Sequence, residues 1–573
     1  MHTNCPRLKM IAFIVLISIA ALAIGYVFYG RYLSKKLIVD DTQITPACEI
    51  NDGNDFVPAK ASLLIGQHFS AIAAAGPIVG PILGGLWFGW IPALLWIILG
   101  SIFIGGVHDF SSLIASVRHK ATSIAEVLKE YMSPTSHILF LIFIWLTLVY
   151  VIIAFTDITA QTFVSVSTEN AHGPGVASAS ILYLLLAVIM GILLYKFNFN
   201  LKIATAIFLP ILVLIILYCS NLPQPVSNLF SGISIKQWDI ILLIYCFVAS
   251  LIPMWLLLQP RGYLGGWFLY LTIAVSLIGS LFGGFSIQYP AFNLDGFASL
   301  SNNKMIFPML FITIACGACS GFHGIVSSGT TSKQLKKESD ARKVGYGGML
   351  LEGLVAVLAL GTVMMLAKGS DAIKGDPNMI YANGIANYLA LIGIDYNIAI
   401  SFALLAFSTF VYDTLDVCTR LGRYICQELF GLKSKSGAAL ATFITLLLPF
   451  IFLMAAKEKA YLVAWPIFGT TNQLLASLVL LSVVVWLVKT GKRSFYAVIP
   501  MIIMIVMTLW SLLLMIIPFI KAFPEFNGVD STRMIGGISG IAMFILSLFI
   551  IVEAFNVLVI KRKKPGKVSV QQS

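Results

Sequence analysis

About fifteen apolar stretches, most near twenty residues long and almost free of charge, run through this sequence. That is the length of a helix crossing a bilayer. Inside hydrocarbon every backbone N–H and C=O must be paired within the protein, which leaves helices as the spanning structure for such segments. The stretches lie at about 8–29, 67–87, 92–117, 137–157, 176–195, 201–219, 239–258, 264–284, 307–327, 346–367, 397–417, 437–455, 461–487, 495–519 and 535–559. Residues 382–394 are apolar but too short to cross, and read as a re-entrant or interfacial piece. Charged residues make up 11% of the 573, against about 25% in soluble domains. The expected fold class is an all-α polytopic membrane protein.

The net charge of +12 does not indicate a nucleic-acid partner, because the basic residues sit in short loops between spans. With the 30–66 loop in the cytoplasm, roughly three-quarters of the 37 Lys and Arg fall on the cytoplasmic side. This predicts the N-terminus outside, the C-terminus inside, and no Lys or Arg deep in a span. The organisation expected is an N-terminal helix and loop (1–60), a core of spans (61–435), C-terminal helices (436–560) and a basic tail (561–573).

The second span contains HFSAIAAAGPIVGP, His68 to Pro81. Proline lacks an N–H and clashes with the preceding turn, so Gly76-Pro77 and Gly80-Pro81 predict a broken helix. Secondary transporters build midplane sites from such helices. A proline kink, or a small-residue packing face, is the plainer alternative. Span nine, Cys316 to Thr331, is small, polar and glycine-rich, with Ser320, Ser327, Ser328 and Thr331 offering hydroxyl oxygens. Trp465-Pro466, followed by Thr470, Thr471, Asn472 and Gln473, is a third polar interruption.

Ionisable groups inside spans are costly and are functional candidates by default. Here they are acidic residues and histidines: Asp109, Glu352, Asp413, Asp416, Glu553, His68, His108 and His323. Burial disfavours a charged carboxyl, so such a group can load and release a proton. Asp413 and Asp416, three apart, share a helix face. The plainer reading of Asp416 is a pair with Arg420, and of Glu553 a packing contact. His108 and Asp109 point about 100° apart and are not expected to pair by themselves. Cys316-Gly-Ala-Cys319 lacks a redox context, and the histidines show no ligand spacing, so no metal or other cofactor is expected. Phosphate-loop, nucleophile-elbow and HExxH motifs are absent from the sequence, so neither an ATP-driven pump nor a hydrolase has support.

Several stretches in order resemble the carbon starvation protein A family of bacterial inner-membrane proteins. They are Asn51 to Pro58, Gln67-His68-Phe69 with AGPIVGP, Gly106 to Phe110, ACGACSGFHGIVSSGTT with SDARKVGYG, Thr414 to Arg423, and Trp465 to Gln473. His108, where enteric members carry glutamine, is a departure. The resemblance implies uptake of small nutrients, pyruvate or short peptides, when carbon is scarce, driven by a proton gradient. Sodium is the other coupling ion considered. A nutrient sensor or a channel remains the alternative, and the oligomeric state is open.

If the first span is an accessory, spans two to six and seven to eleven form two sets of five, with breaks in spans two and seven, the latter at Pro253. This predicts a leucine-transporter-like five-plus-five inverted repeat. Substrate contacts are expected from His68, Gly76, Pro77, Gly80, Pro81, Ser320, His323 and Asn472. Coupling-ion contacts are expected from Asp109, Ser327, Ser328, Thr331, Asp413 and Asp416.

Overall fold

The computed structural model describes residues 10–164, 172–293, 305–456, 460–522 and 531–560. The basic tail therefore lies outside the described residues. Among the described residues the regular structure is helical, apart from one isolated bridge between Ala59 and Leu335. Among the described residues twelve helices are long and apolar enough to cross a membrane, and two bent pairs raise this to fourteen. The remaining stretch, the expected ninth span, is present as two short helices separated by unwound backbone.

In chain order the helices are α1 (Met10–Leu37), α2 (Ala61–Ile72), α3 (Gly76–Phe88), α4 (Trp90–Arg118) and α5 (Pro134–Val164). Then come α6 (Gly173–Lys196), α7 (Leu201–Cys219), α8 (Ile235–Leu251) and α9 (Leu258–Phe282). The split span is α10 (Ile306–Thr313) and α11 (Gly321–Val326), the latter prolonged by a π-helical turn, Ser327–Thr331. After these run α12 (Arg342–Met364), α13 (Pro377–Ala390), α14 (Tyr396–Phe430) and α15 (Lys435–Ala455). The chain closes with α16 (Ala460–Lys489), α17 (Phe495–Ala522) and α18 (Ser531–Phe555).

The second broken helix of the core is thus α10–α11 in span nine; span seven is bent by 90° only ahead of α8, after the short helix Gln224–Ser231, and not at Pro253. Pro253 lies in the turn between α8 and α9, where a missing N–H and a fixed φ cost nothing. With the break relocated, the packing becomes reciprocal. α2 lies along α9 as α11 lies along α16, and the long α5 crosses α14. α8 meets α15, and α4 meets α12 through the turn that opens it. α9 packs on α14 as α16 packs on α5. The core is therefore five plus five, α2–α5, α8 and α9 against α10–α12 and α14–α16. α6 and α7 are inserted in the first half. If each span crosses, α4 to α9 reverse the chain so that α10–α11 runs opposite to α2–α3.

Burial follows this arrangement. α14 and α16 are enclosed, whereas α1, α7 and α18 turn Ile, Leu and Phe outward, as hydrocarbon solvent permits. The short piece expected at 382–394 begins earlier, at Pro377, as α13. It packs on α3, α9, α12 and α14. The interruption expected at Trp465-Pro466 is not one, because α16 runs continuously through it.

Candidate substrate and coupling site

The first break falls at Ala73–Ala75, with a 44° bend between α2 and α3. Pro77 sits in the first turn of α3, where its missing N–H would be unpaired in any helix. Pro81 does not break the chain a second time; it lies inside α3. The glycines of the two pairs have another use. A Cβ on Gly76 would stand 2.4 Å from Cys316 Cβ, and one on Gly80 would stand 2.6 Å from the Thr313 carbonyl oxygen. Hydrogen at these positions lets α3 lie directly against the other break.

That second break spans 314–320. Unwound backbone at membrane depth needs partners from elsewhere in the protein, and α16 supplies several. Asn472 Oδ1 accepts from Phe322 N–H at 2.8 Å, and Gln473 Nε2 donates to the Cys319 carbonyl at 2.8 Å. Asn472 Nδ2 lies 3.0 Å from Ser320 Oγ. On the other side Trp96 Nε1 donates to the Ile314 carbonyl at 3.0 Å. Asn472 and Ser320 therefore brace the break.

Two buried ionisable groups of residues flank the breaks. In the first, Asp109 Oδ1 meets His108 Nδ1 at 2.7 Å and Asp109 Oδ2 meets His323 Nδ1 at 2.9 Å. His323 Nε2 then lies 3.1 Å from Glu352 Oε2. All four side chains are fully buried. His108 and Asp109 do pair, against expectation, because two flexible side chains close the angle their Cα positions open. Cys316 Sγ joins His323 and Glu352, with the three ligand-type atoms within 4.8 Å of one another. His68 faces Thr331 Oγ1 at 2.8 Å.

In the second group Arg261 Nε donates to Asp413 Oδ1 at 2.6 Å, and Arg261 Nη1 lies 2.5 Å from Asp416 Oδ2. Tyr245 donates to Asp416 Oδ2 at 2.7 Å, and Ser70 of α2 donates to Asp413 Oδ2. Thr414 donates to the Ala71 carbonyl at 2.9 Å, close to the end of α2. Arg261 is a fully buried cation that the loop reading of 259–263 missed. Its signal was the intramembrane Asp pair, which requires a counter-charge. Asp416 consequently does not take Arg420 as its partner. Arg420 instead reaches Asp55 at 3.3 Å and the carbonyls of Ala249 and Ile252 at 3.0 and 2.5 Å.

The hydroxyls of the π-turn divide. Ser328 Oγ donates to the Gly324 carbonyl at 2.7 Å and accepts from Ile124 N–H at 3.3 Å. Ser327 Oγ is buried without a hydrogen-bond partner. π-turns recur at functional sites, and another, Ser101–Gly105, immediately precedes the turn that carries Asp109. Glu553 stands apart: it accepts from Ser133 N–H and Oγ at 2.7 and 2.9 Å, a packing contact as the plainer reading held. A cavity of about 650 Å³ opens beside α11, lined among others by Ile325, Ser328, Lys333 and Tyr424.

Two interrupted helices in contact, braced by a third and flanked by buried acids, histidines and an arginine, define the core of a membrane transporter. The family model and the named relatives agree with that class. The family model for Carbon starvation protein CstA matches residues 10–377 and 369–511, and the chain belongs to this family. A Helicobacter pylori protein named "Peptide transporter CstA" is 32% identical, covering 88% of this chain and 82% of its own. The Escherichia coli "Pyruvate/proton symporter BtsT" is 29% identical over 87% and 81%. A solved Eremococcus coleocola manganese transporter mutant aligns over 89% of this chain and 99% of its own, at 14% identity and a TM-score of 0.46.

Proposed function

We propose that the chain imports a small carboxylate nutrient, pyruvate or a short peptide, into bacteria short of carbon, using the proton gradient across the inner membrane. The observation that carries this is the buried series His108–Asp109–His323–Glu352 lying beside both helix breaks. Each contact joins an imidazole to a carboxylate at 2.7–3.1 Å. Groups of this kind exchange protons over such distances.

The carboxylate is shared by both substrate classes. The N-terminus of α3, a thirteen-residue half-helix, begins at the first break. The positive end of its dipole favours negative charge. The names of the relatives, one for peptides and one for pyruvate with protons, support the same pair. In this reading Gly76, Pro77, Gly80, Pro81, Ser320 and Asn472 shape the substrate position, with His68 and His323 beside it. Asp109 carries the proton, and Ser327, Ser328 and Thr331 are the oxygens that a sodium ion would use instead. Asp413 and Asp416 with Arg261 tie α2 to α9 and α14. The N-terminus faces outward and the Lys333 face inward, and no covalent chemistry or bound cofactor is needed.

The test is uptake of labelled pyruvate into proteoliposomes, with unlabelled di- and tripeptides as competitors and proton and sodium gradients imposed separately. Proton-driven accumulation unaffected by peptides assigns pyruvate, whereas accumulation of peptides alone assigns peptides. Folded protein that accumulates neither under either gradient overturns the reading and favours a sensor.

A further inference from the structure

We infer that Glu126, His137 and Glu428 form a binding site for a divalent transition-metal ion of the zinc class at the mouth of the cavity beside α11. These residues lie outside both groups described above. The cavity of about 650 Å³ is lined by all three, together with Ser123, Ser328 and Lys333.

The three come from separate elements. Glu126 lies on the short helix Ile124–Lys129, His137 in the first turn of α5 and Glu428 near the end of α14. His137 Nε2 stands 3.0 Å from Glu126 Oε2 and 3.0 Å from Glu428 Oε1. The outer oxygens are held from behind. Lys129 donates to Glu126 Oε1 at 2.7 Å, and Ser123 Oγ donates to Glu428 Oε2 at 3.2 Å. Each carboxylate is thereby oriented with its other oxygen toward the imidazole, the support that metal ligands typically receive.

With both carboxyl groups ionised, protein atoms alone do not satisfy this arrangement. One Nε2 has at most one hydrogen, yet two carboxylate oxygens face it. The bond goes to Glu428, and Glu126 Oε2 is left buried without a hydrogen-bond partner. A cation between the three atoms would satisfy them all. Zinc takes imidazole nitrogen and carboxylate oxygen at about 2.0–2.2 Å, which sets neighbouring ligand atoms about 3.3–3.5 Å apart in a tetrahedron. The ligand-type atoms here lie within 4.8 Å of one another, and the two His137 contacts need open by only a few tenths of an ångström. A fourth position would be left to water from the cavity that all three residues line. A bound ion would pin the 124–129 helix to α5 and α14 and stiffen the mouth.

Titration of the purified full chain with zinc chloride, followed by calorimetry, tests the site without reference to transport. One ion per chain is expected, with binding abolished in His137→Ala and in Glu428→Gln and retained in His119→Ala. X-ray absorption of the zinc-loaded wild type should show nitrogen and oxygen ligands only, which keeps the test valid if a variant misfolds. Amide exchange over 124–129 should slow several-fold with zinc in wild type and not in His137→Ala. Absence of stoichiometric binding, binding that survives loss of His137, sulfur in the coordination shell, or unchanged exchange in wild type would each overturn the site.

Discussion

Arg261 and Asp413 meet at 2.6 Å although 152 residues separate them, and Arg261 also reaches Asp416 at 2.5 Å. One cation thus holds two buried carboxylates, and Ser70 attaches the first of them to α2. Removing one member of a buried ion group leaves uncompensated charge and costs about 3–5 kcal/mol. Arg261→Gln should lower the melting temperature in detergent sharply. The triple change Arg261→Met, Asp413→Asn and Asp416→Asn, which removes the charges together, should recover much of it. Thermal unfolding of the two proteins side by side checks this, and equal losses would mean that the side chains matter for shape rather than charge.

Asp109 touches both His108 and His323, so it is the junction of the buried series and, in the proposed reading, the residue that carries the proton. Asp109→Asn keeps the size and removes the carboxylate. Uptake driven by an inward proton gradient should fall to background. Exchange of internal for external substrate, which needs no net proton movement, should persist. Glu352→Gln should act in the same direction, because Glu352 is next to His323.

Much of this was legible in the chain. Span lengths follow from hydropathy alone, and Gly76-Pro77 marked the first break because proline at a helix start needs no N–H. The second break carries no proline. Residues 314–320 unwind where Asn472, Gln473 and Trp96 take their backbone groups; the small, polar, glycine-rich run marked the stretch as unusual, but the break itself is a tertiary effect. Arg261 was hidden for a related reason. Its neighbours Pro260 and Gly262 read as loop, yet Pro260 is tolerated in the first turn of α9, so the helix starts at Leu258 and carries the guanidinium inside. Asp413 and Asp416 shared a face as their spacing required, but spacing along one helix could not reveal that their partner came from another.

Asp55, in the connection before α2, accepts from Tyr424 at 2.6 Å and lies 3.3 Å from Arg420. Burial would raise its carboxyl, but the Lys333, Arg420 and Arg423 charges outweigh that and hold it below its usual value. A carboxyl depressed in the folded state stabilises the fold above the unfolded pKa, about 3.9. That contribution is lost as pH falls through the lower folded value. Asp55→Asn should therefore reduce the melting temperature at neutral pH. The difference from wild type should shrink as the buffer is taken below about pH 4.

Gly76 tests whether contact between the two breaks is needed for transport. A methyl group there would meet Cys316 Cβ and Sγ. Overpacking of a tight interior costs about 1–3 kcal/mol and is relieved by backbone shifts. Here the backbone available to shift is the unwound 314–320 segment, because α3 is fixed by its own hydrogen bonds. Gly76→Ala should therefore leave the protein folded but displace Ser320 from Asn472, now 3.0 Å apart, and reduce uptake at least tenfold. Cys316→Gly removes the opposing Cβ and Sγ together, so the double variant Gly76→Ala/Cys316→Gly should regain part of the rate. Cys316→Ala keeps the Cβ and should rescue less. Uptake in these four proteins separates a steric clash from a role for the thiol. If Cys316→Gly is itself inactive and rescues nothing, the sulfur serves transport directly beside His323 and Glu352.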